Sequence, residues 1–141
     1  MSAFVDTGVL VAFSNIKDKN HAKAVELLQR AEQGEYGSVF SSDYVFDETV
    51  TLALMRTKNP TIALGAGELL LGNPAKDIPG LVELLHVDDE TFSNSWELFK
   101  RYASRMLSFT DCTTVAMMKR SKIDALLSFD SSFDGIVNRV S

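Results

Sequence analysis

The sequence predicts an α/β fold, a three-layer α/β/α sandwich around a central, mostly parallel sheet of four to five strands. Three observations lead to this prediction. Short apolar segments that suit buried strands recur along the chain, stretches with helical spacing separate them, and single acidic residues follow the first and the last of them. The strand candidates are 3–5, 37–41, the second half of 81–87, and 124–129.

Length and composition set the class of protein. A chain of 141 residues has the common size of one domain, so we expect a single domain spanning 1–141. Hydrophobic residues make up 45% and charged residues 23%, as in soluble globular proteins. Cys112 is alone, which excludes an internal disulfide and favours a reducing compartment. No signal peptide or long apolar run is visible, so we expect a cytoplasmic protein without membrane contact.

The first strand candidate ends in an acid. Asp6 follows 3–5 directly, and the apolar stretch 9–13 begins soon after it. A carboxylate between two buried segments is costly unless it has a partner or binds a cation. Asp6 is therefore expected either to have a protein partner or to bind a cation.

The first predicted helix spans 20–33, with Asn20 as a possible N-cap and Gly34 as its stop. The lysines around its start are interpreted as a solvated face, although they could contact phosphate. They are Lys17, Lys19 and Lys23. A second helix is expected from Ser42 or Asp43 to about Thr57, ahead of Asn59-Pro60.

One stripe of this second helix carries an acid among apolar residues. Its members are Val45, Glu48, Leu52 and Met55. The spacing predicts that Glu48 points inward, whereas Asp47 lies about 100° around the helix and faces water.

The second half of the chain repeats the alternation of helices and strands. Helices are expected over 60–71 and after the acid-rich segment 88–91. The second of these carries an aromatic stripe that we interpret as core, made of Phe92, Trp96, Phe99 and Ala103. A last helix is expected with Thr110 as its N-cap and Asp111 on its buried face. Asp130 then leaves the end of the last strand as Asp6 leaves the first.

These positions predict that four acids converge. In a parallel sheet the functional crevice lies beyond the carboxyl ends of the strands, where Asp6 and Asp130 are expected. Glu48 and Asp111 come from helices entered at the same edge. The net charge of −5 argues against a broad basic surface for nucleic acid, but it does not exclude a nuclease whose acids surround divalent cations.

The four acidic motifs together resemble the PIN-domain ribonucleases, and the small size is similar to the VapC-type toxins of that family. The motifs are Phe4-Val5-Asp6-Thr7, Asp47-Glu48-Thr49, Phe109-Thr110-Asp111 and Ser128-Phe129-Asp130-Ser131-Ser132-Phe133. The resemblance implies an endoribonuclease that uses Mg²⁺ or Mn²⁺, forms a homodimer and, in toxin members, is neutralised by a small antitoxin. It places Asp6, Glu48, Asp111 and Asp130 in the acidic cluster, with Thr7 and Thr110 as accessory hydroxyls and Asp134 as a possible further ligand.

The chemistry agrees with these residue types. Carboxylates are hard ligands that suit magnesium and manganese, and a bound metal makes hydroxide available near neutral pH, so neither His21 nor His86 is required as a base. Three alternatives remain: an RNA-processing nuclease that is not a toxin, a non-catalytic PIN-like module that binds RNA or protein, and a phospho-acceptor protein. Gly8 occupies the place of the second acid in the dehalogenase-type pattern, which disfavours the phospho-acceptor.

Overall fold

The computed structural model describes residues 1–141 and confirms the α/β prediction: a five-stranded sheet, parallel throughout, is covered by six helices. The strands are β1 (Ser2–Val5), β2 (Ser38–Ser42), β3 (Glu83–Leu85), β4 (Ala125–Leu127) and β5 (Arg139–Val140). The helices are α1 (Thr7–Ser14), α2 (His21–Glu32), α3 (Asp43–Thr57), α4 (Pro60–Leu71), α5 (Asp89–Tyr102) and α6 (Phe109–Ser121). None of the helices combines the length and apolar character needed to cross a membrane.

The centre of the sheet is β1. The strand order is β3-β2-β1-β4-β5, and Phe4 of β1 is in register with Phe40 on one side and Leu126 on the other. The β1 residues Ala3 to Val5 are fully buried and belong to the main hydrophobic core. Burial on both faces explains why this strand reads as a continuous apolar run rather than as an alternating one.

The chain reverses its direction across the sheet beside β1. The connections from β1 to β2 and from β2 to β3 both move one way, whereas the connection from β3 returns to β4 on the other side of β1. Because such crossovers are right-handed, α1 to α4 cover one face of the sheet and α5 and α6 cover the other. The neighbouring ends of β1 and β4 therefore form the switch point at which open α/β sheets place their functional crevice.

Local signals fix the helix boundaries near their predicted positions. The Ser42 hydroxyl caps α3 by accepting from the Val45 N–H. Pro60 stands at the first position of α4, where its missing N–H costs no hydrogen bond, and the Asn59 side chain caps that helix. Gly34 follows α2 with a φ of +86°, a conformation that glycine adopts without steric cost.

Three features differ from the sequence prediction. The apolar stretch after Asp6 forms the helix α1, and the two-residue strand β5 follows the predicted last strand. The aromatic stripe of α5 is core only in part: Phe99 packs against the main core, whereas Phe92 and Trp96 are each 50% exposed. The prediction failed there because helical spacing shows that aromatic residues share a face but does not show what covers that face.

Candidate active site

Two of the predicted acids stand at the switch point. Asp6 follows β1 and is the N-cap of α1, where its Oδ1 accepts a hydrogen bond from the Thr7 N–H at 2.9 Å. Asp130 follows β4, and its Oδ1 accepts from the Ser132 N–H at 2.9 Å. Since β1 and β4 are paired neighbours, the two carboxylates leave the same edge of the sheet side by side.

Asp6 is held by Ser128, the residue that follows β4. The Ser128 Oγ donates to Asp6 Oδ2 at 2.6 Å and accepts from the Asp130 N–H at 3.0 Å. Asp6 is only 6% exposed, and burial raises the pKa of its carboxyl to about 7. The Ser128 hydrogen bond acts in the opposite direction, and the charges of Asp111 and Glu48 raise this pKa further.

Asp111 is held by a capping box at the start of α6. The Ser108 N–H donates to Asp111 Oδ2 at 2.8 Å, and the Asp111 N–H donates to Ser108 Oγ at 3.0 Å. Burial raises the pKa of the Asp111 carboxyl above its ordinary value, and the charges of Glu48 and Asp130 act in the same direction. The carboxylates of α3, α6 and the end of β4 are thus close enough to interact.

The predicted N-cap of α6 was wrong. Ser108 caps the helix, and Thr110 lies inside its first turn with its carbonyl accepting from the Thr113 hydroxyl. Both residues can cap a helix, but the reciprocal bond with Asp111 selects the serine three positions before the acid. Ser108 lines the cleft described below, whereas Thr110 does not.

Glu48 faces the same region from α3. It is half-buried, and Leu52 and Arg56 continue its stripe at spacings of four. Met55, which was expected on this stripe, is 53% exposed. Asp47 is exposed as predicted. The stripe therefore continues from Leu52 to Arg56 and not to Met55. With 3.6 residues per turn, a residue four positions along the helix lies closer to the same face than a residue three positions along.

All four predicted acids line one open cleft of about 750 Å³. The cleft also contains polar and charged residues that the sequence did not single out for it, namely Asp18, Lys19, Asn20, Arg56 and Ser108. The signal for Arg56 was available in its spacing from Glu48. Lys19 was one of three lysines interpreted as a solvated face with phosphate contact as the alternative, and no pattern in the sequence separated it from the other two.

The cleft suits a hydrated cation and its anionic ligand. The Thr7 Oγ1 is buried beside the cleft without a hydrogen-bond partner among the protein atoms. No three His, Cys, Asp or Glu side chains converge as a complete set of metal ligands. Mg²⁺ does not need such a set, because it keeps several waters and is bound through one or two carboxylates together with substrate phosphates.

Asp134 lies apart from this arrangement. Its two carboxylate oxygens accept from Arg139 at 2.7 and 3.1 Å, and this pairing lowers the pKa of the Asp134 carboxyl. Arg139 also donates to the Ser128 carbonyl, so it ties β5 to the end of β4. Asp134 does not line the cleft.

The sequence and the structure are similar to those of known proteins. The profile of the PIN domain family matches residues 3–137. A VapC ribonuclease of Archaeoglobus fulgidus is 30% identical over 134 residues, covering 94% of this chain and 80% of that protein. The 23S rRNA-specific endonuclease VapC20 of Mycobacterium tuberculosis is 30% identical over 130 residues, covering 92% and 90%.

Two solved structures share the fold. The crystal structure of Mycobacterium tuberculosis VapC20, a sarcin-ricin loop cleaving toxin, superposes with a TM-score of 0.76 at 29% identity, covering 93% of this chain and 92% of that one. VapBC2 from Rickettsia felis, bound to a DNA fragment from its promoter, gives a TM-score of 0.66 at 13% identity, covering 99% and 98%. The second likeness is one of fold alone.

Proposed function

Since this chain belongs to the PIN domain family, we propose that it is a VapC-type endoribonuclease and that residues 1–141 form a single nuclease domain. It hydrolyses phosphodiester bonds of RNA, and its cofactor is Mg²⁺ or Mn²⁺. The observation that carries the proposal is the cleft at the switch point, which gathers carboxylates from four separate elements of the chain.

The four acids have different roles at the proposed metal site, depending on how the protein holds each carboxylate. Asp6 and Asp111 are fixed by protein donors and partly withdrawn from solvent, so they would hold a bound ion in a set position. Each keeps acceptor capacity, because an ionised carboxylate offers about four lone-pair sites and these bonds use only one or two. Glu48 from α3 and the exposed Asp130 after β4 would complete the set.

A divalent ion bound by these carboxylates would supply an activated water and offset negative charge on the phosphate. The chain itself positions the ligands and the substrate. Ser128 and the Thr7 N–H orient Asp6, and the Ser108 capping box orients Asp111. Thr7, whose buried hydroxyl has no protein partner, is the proposed accessory hydroxyl of the site. We assign no metal role to Asp134, because it is paired with Arg139 and does not line the cleft.

Metal-dependent cleavage of RNA is the direct test. The purified chain should cleave total bacterial RNA after addition of Mn²⁺ or Mg²⁺, and a chelator should stop the reaction. A hairpin carrying the sarcin-ricin loop is a useful second substrate, because one relative is named for cleaving that loop. Cleavage that continues in excess chelator would contradict the proposed cofactor, and no cleavage of any RNA with either metal would contradict the proposed activity.

Two partners belong to the same proposal. The first is a small antitoxin, supported by the VapC names of the curated relatives. A short reading frame just upstream, whose product co-purifies and inhibits cleavage, would identify it, whereas a gene without such a neighbour would favour RNA processing.

The second proposed partner is another copy of this chain. The large apolar side chains that α5 leaves exposed, Phe92 and Trp96, support a homodimer.

A further inference from the structure

Two cations in the acidic cleft have no acidic partner. Lys19 and Arg56 line the cleft with five carboxylates, yet neither forms an ion pair, although ion pairs occur at several other places in the chain. Both side chains are exposed, so an ion pair with these acids would contribute little, and neither cation is held in one. Their charge is instead free for an external anion.

Arg56 differs from every other arginine of the chain. The others contact carboxylates, carbonyls or a ring: Arg30 with Glu35, Arg120 with Asp88, Arg139 with Asp134, Arg105 with two backbone carbonyls, and Arg101 with Tyr102. The Arg56 side chain makes no hydrogen bond, ion pair or contact with an aromatic ring. Its guanidinium therefore keeps all five donors available, in the fork geometry that binds phosphate.

The two cations border the site from different elements. Arg56 lies two turns beyond Glu48 on α3, roughly 12 Å along the helix axis, and Lys19 lies in the segment between α1 and α2. Because Arg56 lies that far from Glu48, it suits a neighbouring phosphate of the bound RNA better than the phosphate that the acids would engage. An RNA strand crossing this cleft needs cations there, because carboxylates would otherwise repel its neighbouring phosphates.

We propose that Lys19 and Arg56 bind the phosphates that flank the scissile phosphate of the RNA strand. This inference rests on the proposed ribonuclease function and names the residues that position its substrate. Phosphate contacts of this kind fix the register of a strand without reading its bases. Lys19 and Arg56 thus set affinity and placement, while sequence preference comes from elsewhere.

RNA binding at several salt concentrations tests the inference without any cleavage. The probe is a fluorescein-labelled, unstructured single-stranded RNA, and a chelator prevents its hydrolysis. The proteins are wild type, Lys19→Ala, Arg56→Ala, the double variant, and Lys23→Ala as an exposed control outside the cleft. Each phosphate contact on a single strand contributes about 0.7 to the slope of log affinity against log salt. A fourfold rise in salt concentration should therefore weaken RNA binding by every protein, but most strongly by the wild type. The loss of affinity should be about threefold greater for the wild type than for either single variant, and about sevenfold greater than for the double variant.

Steady-state cleavage with Mn²⁺ then separates positioning from a structural role. We expect Lys19→Ala and Arg56→Ala to raise KM with little change in kcat, and Arg56→Lys to recover part of the affinity. Salt slopes equal to that of Lys23→Ala, or a loss that follows lower thermal stability and is not rescued by lysine, would overturn the inference. If the wild type cleaves no RNA but the slopes still flatten, the proposed function fails while phosphate binding by these residues stands.

Discussion

Ser128 and Asp6 are 122 residues apart in sequence, yet the serine hydroxyl donates a 2.6 Å hydrogen bond to the buried carboxylate. The same hydroxyl accepts from the Asp130 N–H, so one side chain joins the acids that follow β1 and β4. Losing a partner that orients a metal ligand typically lowers metal affinity by about 10- to 100-fold. This relationship gives the first prediction.

Ser128→Ala should lower both stability and metal affinity. The variant leaves a buried carboxylate without its donor, which costs about 1–3 kcal/mol, and Mn²⁺ affinity should fall about 10- to 100-fold. Ser41→Ala is the matched control, because Ser41 is equally buried but its hydroxyl bonds to the Val5 carbonyl. Calorimetric titration with Mn²⁺ and thermal melts measure the two effects. Equal metal affinity in both variants would contradict the orienting role of Ser128.

The acidic residues of the cleft should be required for cleavage. Asp6→Asn, Asp111→Asn and Asp130→Asn keep the shape of the side chain but remove anionic ligation, so each should reduce Mn²⁺-dependent RNA cleavage at least about 100-fold. Asp47→Asn is the control, since Asp47 is exposed beside Glu48 and should be nearly silent. Gel assays on folded, nuclease-free preparations check this. Wild-type rates in two of the three variants would show that the cleft is not the active site.

Asp6 should destabilise the metal-free protein at neutral pH. Its carboxyl has a pKa of about 7 in the fold and an ordinary value of 3.8 when unfolded, so the folded state holds its proton longer. Between about pH 4 and pH 7 the unfolded state binds fewer protons, and stability therefore falls as pH rises, by up to about 1.4 kcal/mol for each pH unit. Asp6→Asn should remove this pH-dependent loss of stability and therefore raise the melting temperature of the metal-free protein near pH 7.

The same variant should respond less to metal. Mn²⁺ at about 100 times its Kd adds about 2.7 kcal/mol to the wild type, because it binds the folded site and has no comparable site in the unfolded chain. Asp6→Asn should reduce this gain. Thermal melts of both proteins with chelator and with Mn²⁺, at several pH values, provide the measurement. A destabilised apo variant with an unchanged metal shift would mean that Asp6 has a structural role instead.

Asp134→Asn should leave the metal response intact. The carboxylate is paired with Arg139 on the surface, so its loss should cost no more than about 1 kcal/mol. The Mn²⁺-induced shift of the melting temperature should equal that of the wild type, whereas Asp130→Asn should reduce it. A smaller shift in Asp134→Asn would restore this residue to the set of ligands.

The exposed aromatic face of α5 should hold two copies together. Trp96→Gln should convert the proposed dimer to a monomer, as followed by light scattering across protein concentrations. Leu64→Gln is the control, because Leu64 is another large exposed apolar side chain, on α4 on the opposite side of the sheet. A monomeric wild type at high micromolar concentration with full activity would remove the proposal, as would a Trp96→Gln dimer of unchanged affinity.

The order of strands and helices could be predicted because it follows from periodicity and from helix boundary signals. The acids could also be placed, since a polar residue at the end of a buried strand has few alternatives to a functional edge. Ser128 was harder to find, because a serine that ends an apolar run is also a common turn residue. Its bond to Asp6 depends on the pairing of β1 with β4, which no local pattern contains.

Exposure was the property that sequence predicted least well. Phe92 and Trp96 have the spacing of a core stripe, and Met55 has the spacing of an inward residue, but all three are at least half exposed. Amphipathic spacing defines a face, whereas the neighbouring elements decide whether that face meets protein or solvent. The shift from Met55 to Arg56 on α3 is of the same kind, a small rotation that only packing determines.

The central place of β1 has a consequence for biosynthesis. This strand is made first and can pair with β2 early, but its other edge stays open until β4 has left the ribosome more than 100 residues later. Ser128 and Asp130 follow β4 in the chain and become available only with it. A nascent chain therefore cannot assemble the acidic cleft before β4 and Asp130 have been translated, and the ribosome that makes the nuclease carries no finished site until then.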